Sequence, residues 1–73
     1  MPSIHDAKYQ AMIKRLELAR KACGYTQECV AEKLEKPQSY VSKIENCERR
    51  LDVLELKRFL EVYALKSSDI FDD

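Results

Sequence analysis

The sequence predicts an all-α domain of five short helices. Three observations carry this. Apolar residues recur at spacings of three and four, beginning with Tyr9, Met12, Ile13, Leu16 and Ala19, the period of a helix with one buried stripe. Good N-capping residues, Asp6, Thr26 and Asp52, stand just before such stretches. Gly24 is the only glycine, which argues for short connections between helices rather than a sheet with many turns.

Taken in order, residues 1–5 are expected to fray. Asp6 caps a first helix running to about Ala22, and Gly24 follows it where a left-handed C-terminal cap is expected. Thr26 caps a second helix, from about Gln27 to Leu34, with Val30, Ala31 and Leu34 inward. Ala31 is small, as a close helix crossing requires. Glu35-Lys36-Pro37 is the turn, because proline disfavours helix in the residue before it and suits the first turn of the next helix. The third helix runs from about Gln38 to Glu45. Val41 and Ile44 point inward, which leaves Gln38, Ser39, Ser42 and Lys43 on the outer face. Asn46 to Arg50 is a polar, partly basic loop. Asp52 caps a fourth helix to about Tyr63, with Val53, Leu56, Leu60 and Tyr63 buried. Ser67 or Ser68 caps a last short helix containing Ile70 and Phe71.

Thr26 to Asn46 is therefore two short helices joined by a tight turn, the second with small polar and basic side chains on the face its partner does not need. That is the layout of a helix-turn-helix, at about 26–45, whose second helix enters the DNA major groove. Its polar face is also what any solvated helix shows, so the reading needs the surrounding pattern.

Composition narrows the function. A chain of 73 residues is one domain, 1–73, with a limited core. Net charge is zero but polarised: residues 1–50 carry ten Lys or Arg against seven Asp or Glu, and residues 51–73 carry three against six. An acidic end held away from DNA is compatible with a locally basic contact face. Cys23, Cys29 and Cys47 are odd in number, lack paired spacing, and have only His5 to join them, which points to reduced thiols in a cytoplasmic protein rather than a disulfide framework or a metal site. No signal peptide or membrane span is read. No Gly-rich phosphate loop, HExxH, paired catalytic carboxylates or Ser-His-Asp constellation is present, so neither an enzyme nor a cofactor is expected.

The segment from about Leu16 to Phe71 resembles the phage repressor and Cro-like helix-turn-helix family, also called the XRE family. The resemblance rests on Arg20, Gly24-Tyr25-Thr26-Gln27-Glu28, Ala31, Pro37-Gln38-Ser39-Tyr40-Val41-Ser42-Lys43-Ile44-Glu45 and Glu48-Arg49-Arg50-Leu51-Asp52-Val53, an ordered set at family spacing over most of the chain. It implies a lambda-repressor-like, five-helix DNA-binding domain and a transcriptional regulator. Gln38 matches the glutamine that commonly contacts a base, an adenine edge being a suitable partner. Ser39, Ser42 and Lys43 match the other groove-facing positions. Gln27 matches a phosphate-binding position at the start of the second helix, and Asn46, Arg49 and Arg50 match a loop that grips the flanking backbone. Tyr40 sits beside this face, its hydroxyl for a phosphate or its ring for packing. Arg49 and Arg50 have an alternative in pairing with Glu55. The resemblance also implies an ion pair between Arg20 and Glu45.

Two positions depart from the family pattern. Asn46-Cys47 stands where a glycine with positive φ usually follows the recognition helix, and Ala64 stands where glycine is frequent after the fourth helix. Asn tolerates that geometry better than Cys, so a reshaped loop, with Arg49 and Arg50 moved, is the expectation. Because one helix reads too few base pairs to select a genomic site, the working unit is expected to be a homodimer on a near-palindromic operator, acting as a repressor. Leu65, Ile70 and Phe71 are the apolar anchors for its interface, or else they close the monomer core. The competing class is a protein-interaction module that keeps the fold and binds a protein partner.

Overall fold

The computed structural model describes residues 6–71, with four α-helices, α1 (Ala7–Ala22), α2 (Gln27–Leu34), α3 (Gln38–Glu45) and α4 (Val53–Tyr63), and a single 3-10 turn, Ser67–Asp69. The expected frayed start, His5 included, lies outside the described residues.

Asp6, Thr26 and Asp52 cap α1, α2 and α4 as the sequence predicts. Asp6 accepts from the N–H groups of Lys8 and Tyr9 at 2.8 and 3.2 Å, and Thr26 accepts from Cys29 at 3.0 Å. Asp52 and Glu55 form a reciprocal capping box on α4, at 2.7 and 3.0 Å. All four helices end the same way: a left-handed residue donates its N–H to the carbonyl three back, and the next residue reaches five back. Only Gly24 (φ +77°) is suited to that position; the other three are Glu35, Cys47 and Ala64, at φ +58°, +58° and +55°. Asn46 does not take the left-handed position after α3. It stays at φ −85°, Cys47 takes it, and the closing hydrogen bonds form without a glycine.

One core forms where the four helices meet. Ile13 and Leu16 of α1, Val30, Ala31 and Leu34 of α2, Val41 and Ile44 of α3, Phe59 and Tyr63 of α4, and Ile70 beyond the last turn are all buried. α2 and α3 pack most closely on each other, which fixes the angle at which α3 is presented. Two sequence expectations fail on α4. Its inward stripe is centred on Phe59, which sequence reasoning omitted, flanked by Leu56, Leu60 and Tyr63. Val53 lies at the edge of that stripe in the first turn and stays 80% exposed. The expected fifth α-helix is only the 3-10 turn. Its cap position is Lys66 rather than Ser67 or Ser68, with the Asp69 carboxylate accepting from Lys66 N–H at 2.8 Å at its start, and it ends after 3 residues, leaving Ile70 and Phe71 outside.

Candidate nucleic-acid interface

Val41 and Ile44 lock α3 into the core and thereby aim its opposite face at solvent. Gln38, Ser39 and Lys43 are exposed and Ser42 is half-buried. None of these four side chains has a hydrogen-bond or ionic partner among the described residues, so their donors and acceptors are open to an incoming ligand.

Behind this face, Arg20 of α1 donates to both oxygens of Glu45 on α3, Nε to Oε2 at 2.6 Å and Nη2 to Oε1 at 3.0 Å. Its remaining amino group donates to the Tyr25 carbonyl at 2.9 Å. This bidentate pair, 10% and 6% exposed, ties α1 to the end of α3. The Glu45 hydrogen bond raises the Arg20 pKa further above its ordinary value. Gln27 joins the same carboxylate, Nε2 to Oε1 at 2.9 Å, which braces α2 against α3 as well. Its side-chain amide is thus partly committed inside the protein. What it retains toward an anion is its second amide N–H and the main-chain N–H groups at the start of α2.

The loop after α3 is fixed by its backbone: Glu48 and Arg49 both donate to the Lys43 carbonyl, at 2.8 and 3.2 Å. Cys47 is half-buried, and burial pushes its thiol pKa up, which makes it a poor nucleophile at neutral pH. Arg49 pairs with Glu55 of α4, its Nη1 lying 2.9 Å from Oε2 and 3.1 Å from Oε1, and the same nitrogen donates to the Arg50 carbonyl at 3.2 Å. The Arg49 guanidinium lies 4.8 Å above the Tyr40 ring.

Tyr40 requires a correction. Its hydroxyl donates to Glu55 Oε2 at 2.8 Å, and its ring stacks near Phe59, with centroids 6.2 Å apart. The donor expected on a phosphate is therefore spent inside the protein, and the ring packs. Burial, with the Glu55 hydrogen bond, pushes the Tyr40 pKa up to about 12. The Arg49 hydrogen bond, aided by the Asp52 N–H and Tyr40, holds Glu55 at about 2. Glu55 has a legible signal as the third residue after a capping Asp. Its link to Tyr40 has none, because fifteen positions separate them. Lys36, which no sequence argument selected, sits 5.4 Å from the same ring.

Lys43 and Arg50 have no ion pair among the described residues, and Asn46 is exposed with its amide 3.5 Å from Glu48. At the far end, Ile70 is fully buried in the core and Leu65 half-buried, while Phe71 is 48% exposed beside Ala7, Ala11 and Met12. Among the described residues no group of three or more His, Cys, Asp or Glu is placed to hold a metal, and no helix is long and apolar enough to cross a membrane.

A helix-turn-helix family model matches residues 16–70. Among solved structures, the chain is similar to an XRE-family like protein from Pseudomonas syringae pv. tomato str. DC3000. The two are 46% identical and superpose with a TM-score of 0.83, over 92% of this chain and 82% of that one. No curated protein matches the chain.

Proposed function

The chain belongs to the XRE family of helix-turn-helix, DNA-binding transcription regulators, and from that premise we propose that it is a repressor whose dimer reads a near-palindromic operator through α3. The observation that carries the reading is the unpartnered polar face of α3, held rigid from behind by Val41, Ile44 and the Arg20–Glu45–Gln27 brace. A recognition helix needs both properties: free side chains toward the bases, and a fixed backbone so that their positions carry sequence information.

In this reading Gln38 contacts an adenine edge and Lys43 a guanine or a phosphate, while Ser39 and Ser42 contribute short contacts, direct or through water. Gln27, Asn46, Arg49 and Arg50 touch the backbone, and Tyr40 supports rather than touches it. Repression follows from occupancy: a dimer seated on an operator excludes other proteins from the same DNA. The dimer interface would use Phe71, which keeps free apolar surface, and the half-buried Leu65; Ile70 is spent on the core.

The test is selection of the purified protein against randomised duplex DNA at about 0.15 M salt. Enrichment of a near-palindrome is expected, with Gln38→Ala losing about 1–3 kcal/mol of affinity and relaxing one position of the site. A protein-interaction module makes the opposite forecast. Zero net charge and the exposed Val53, Leu54 and Phe71 favour it. No sequence would be enriched, and Gln38→Ala with Lys43→Ala would leave binding of a partner through those apolar residues unchanged.

A further inference from the structure

The geometry points to Glu55 as the residue that positions Arg49 for the DNA backbone, with Tyr40 as its second support. The inference rests on the reading of Arg49 as a phosphate contact and adds how that contact is prepared. Glu55 cannot swing freely. Its Oε1 accepts the Asp52 N–H at 3.0 Å as part of the α4 capping box, and its Oε2 accepts the Tyr40 hydroxyl at 2.8 Å. A carboxylate held from both α3 and α4 is a fixed anchor for the mobile side chain of a loop arginine.

The manner of attachment matters. Every contact between Arg49 and a polar atom of the described residues runs through Nη1, to Glu55 and to the Arg50 carbonyl. Nε and Nη2 have no partner there, and the side chain is 42% exposed. The Tyr40 ring at 4.8 Å supports the guanidinium plane. Arg49 is therefore held by one nitrogen and presents the others. A flexible arginine would lose its rotamer freedom on meeting a phosphate; this one has lost it beforehand, which favours binding.

Simple electrostatics forecasts the reverse. Glu55 is an anion near a polyanionic ligand, and deleting it should raise affinity if its charge is all that matters. The sign of the effect separates the two ideas. Binding is measured by fluorescence anisotropy against a labelled random-sequence duplex of about two helical turns, over a range of salt concentrations, because phosphate contacts need no specific sequence. Glu55→Gln is the test variant, since glutamine at this position keeps the capping box. It is expected to weaken binding about fivefold and to lower the slope of log K against log salt toward the value for Arg49→Ala, which itself loses about 1. In the Arg49→Ala background, Glu55→Gln should weaken binding no further. Tyr40→Phe, which keeps the ring and removes only the hydroxyl, is expected to weaken binding about twofold. A gain of affinity in Glu55→Gln, or an equal loss with and without Arg49, overturns the inference while leaving Arg49 a phosphate contact. An unchanged salt slope in Arg49→Ala overturns the phosphate reading itself, and the inference with it.

Discussion

Arg20–Glu45 and Arg49–Glu55 are the same pair of residue types, at 2.6 and 2.9 Å, in two regions that use them differently. The first ties α1 to α3, with Gln27 of α2 on the same carboxylate, and its side chains are 10% and 6% exposed; the second joins a loop to α4 at the surface, with side chains 42% and 18% exposed. In the brace, Glu45 receives three hydrogen bonds and Arg20 gives three, so water has little left to contact. In the loop, Arg49 keeps donors in reserve. Burial, rather than the chemistry of the pair, decides which becomes scaffold and which stays available to a ligand.

The largest expected effect tests the brace. Glu45→Ala leaves the Arg20 guanidinium buried without its partner and frees Gln27, and the cost of a buried unpaired charge is about 3 kcal/mol. Arg49→Ala, by contrast, should cost under about 1 kcal/mol. Urea denaturation followed by circular dichroism checks both, with the midpoint rather than the slope expected to move. If the two variants lose equal stability, burial does not distinguish the pairs.

The second effect is pH dependence, and it belongs to the loop. Glu55 is held at about 2, below its ordinary 4.5, first by Arg49. A carboxylate whose folded pKa is depressed contributes stability that is fully present above its unfolded pKa and lost as pH falls through the folded one. The window is therefore about pH 5 to pH 2. The whole shift would correspond to about 3 kcal/mol, and screening at the exposed Arg49 reduces this to about 1–2 kcal/mol. The wild-type chain should lose that much more stability than Glu55→Gln across the window. Parallel curves for the two proteins would mean that the loop pair contributes nothing to folding.

The brace and the loop also differ in how readable they were. Arg20 and Glu45 stand on different helices, but family spacing named them as a pair, and the structure joins them. The helix starts were legible because capping is local: Asp6, Thr26 and Asp52 bond to residues two or three positions on. The α3 face was legible because two inward residues fix where the others point. Elsewhere the information was not local. Family spacing points Gln27 at a phosphate and sets Tyr40 beside the face, yet each has a side-chain donor on a glutamate, eighteen and fifteen positions away respectively. The left-handed turn at Glu35 was hidden for another reason, and those at Cys47 and Ala64 were marked only by the family pattern. Sequence marks such a turn by glycine, and here the hydrogen bonds that close each helix outweigh a strain of about 1–2 kcal/mol at a non-glycine residue. Phe59 is a different kind of miss. Its spacing from Leu56 and Tyr63 is helical, but the spacing of Val53, Leu56, Leu60 and Tyr63 is equally so, and only packing decides between the two stripes.

The smallest expected effect sharpens the comparison most, because it measures each pair rather than each residue. Double-mutant cycles on folding give a coupling energy for Arg49–Glu55 of about 0.5–1 kcal/mol near 0.1 M salt, and a larger one for Arg20–Glu45. At 1 M salt the screening length shrinks to about 3 Å. Ions reach the exposed pair, and its coupling should fall toward zero. They cannot enter between Arg20 and Glu45, whose coupling should be retained. The result also bears on DNA binding. A loop pair that salt dissolves releases an arginine into solution under the same conditions that weaken its contact with phosphate, so preparation and contact fail together. If the Arg49–Glu55 coupling survives at 1 M salt, the pair behaves as a second scaffold, and salt weakens the phosphate contact without undoing its preparation.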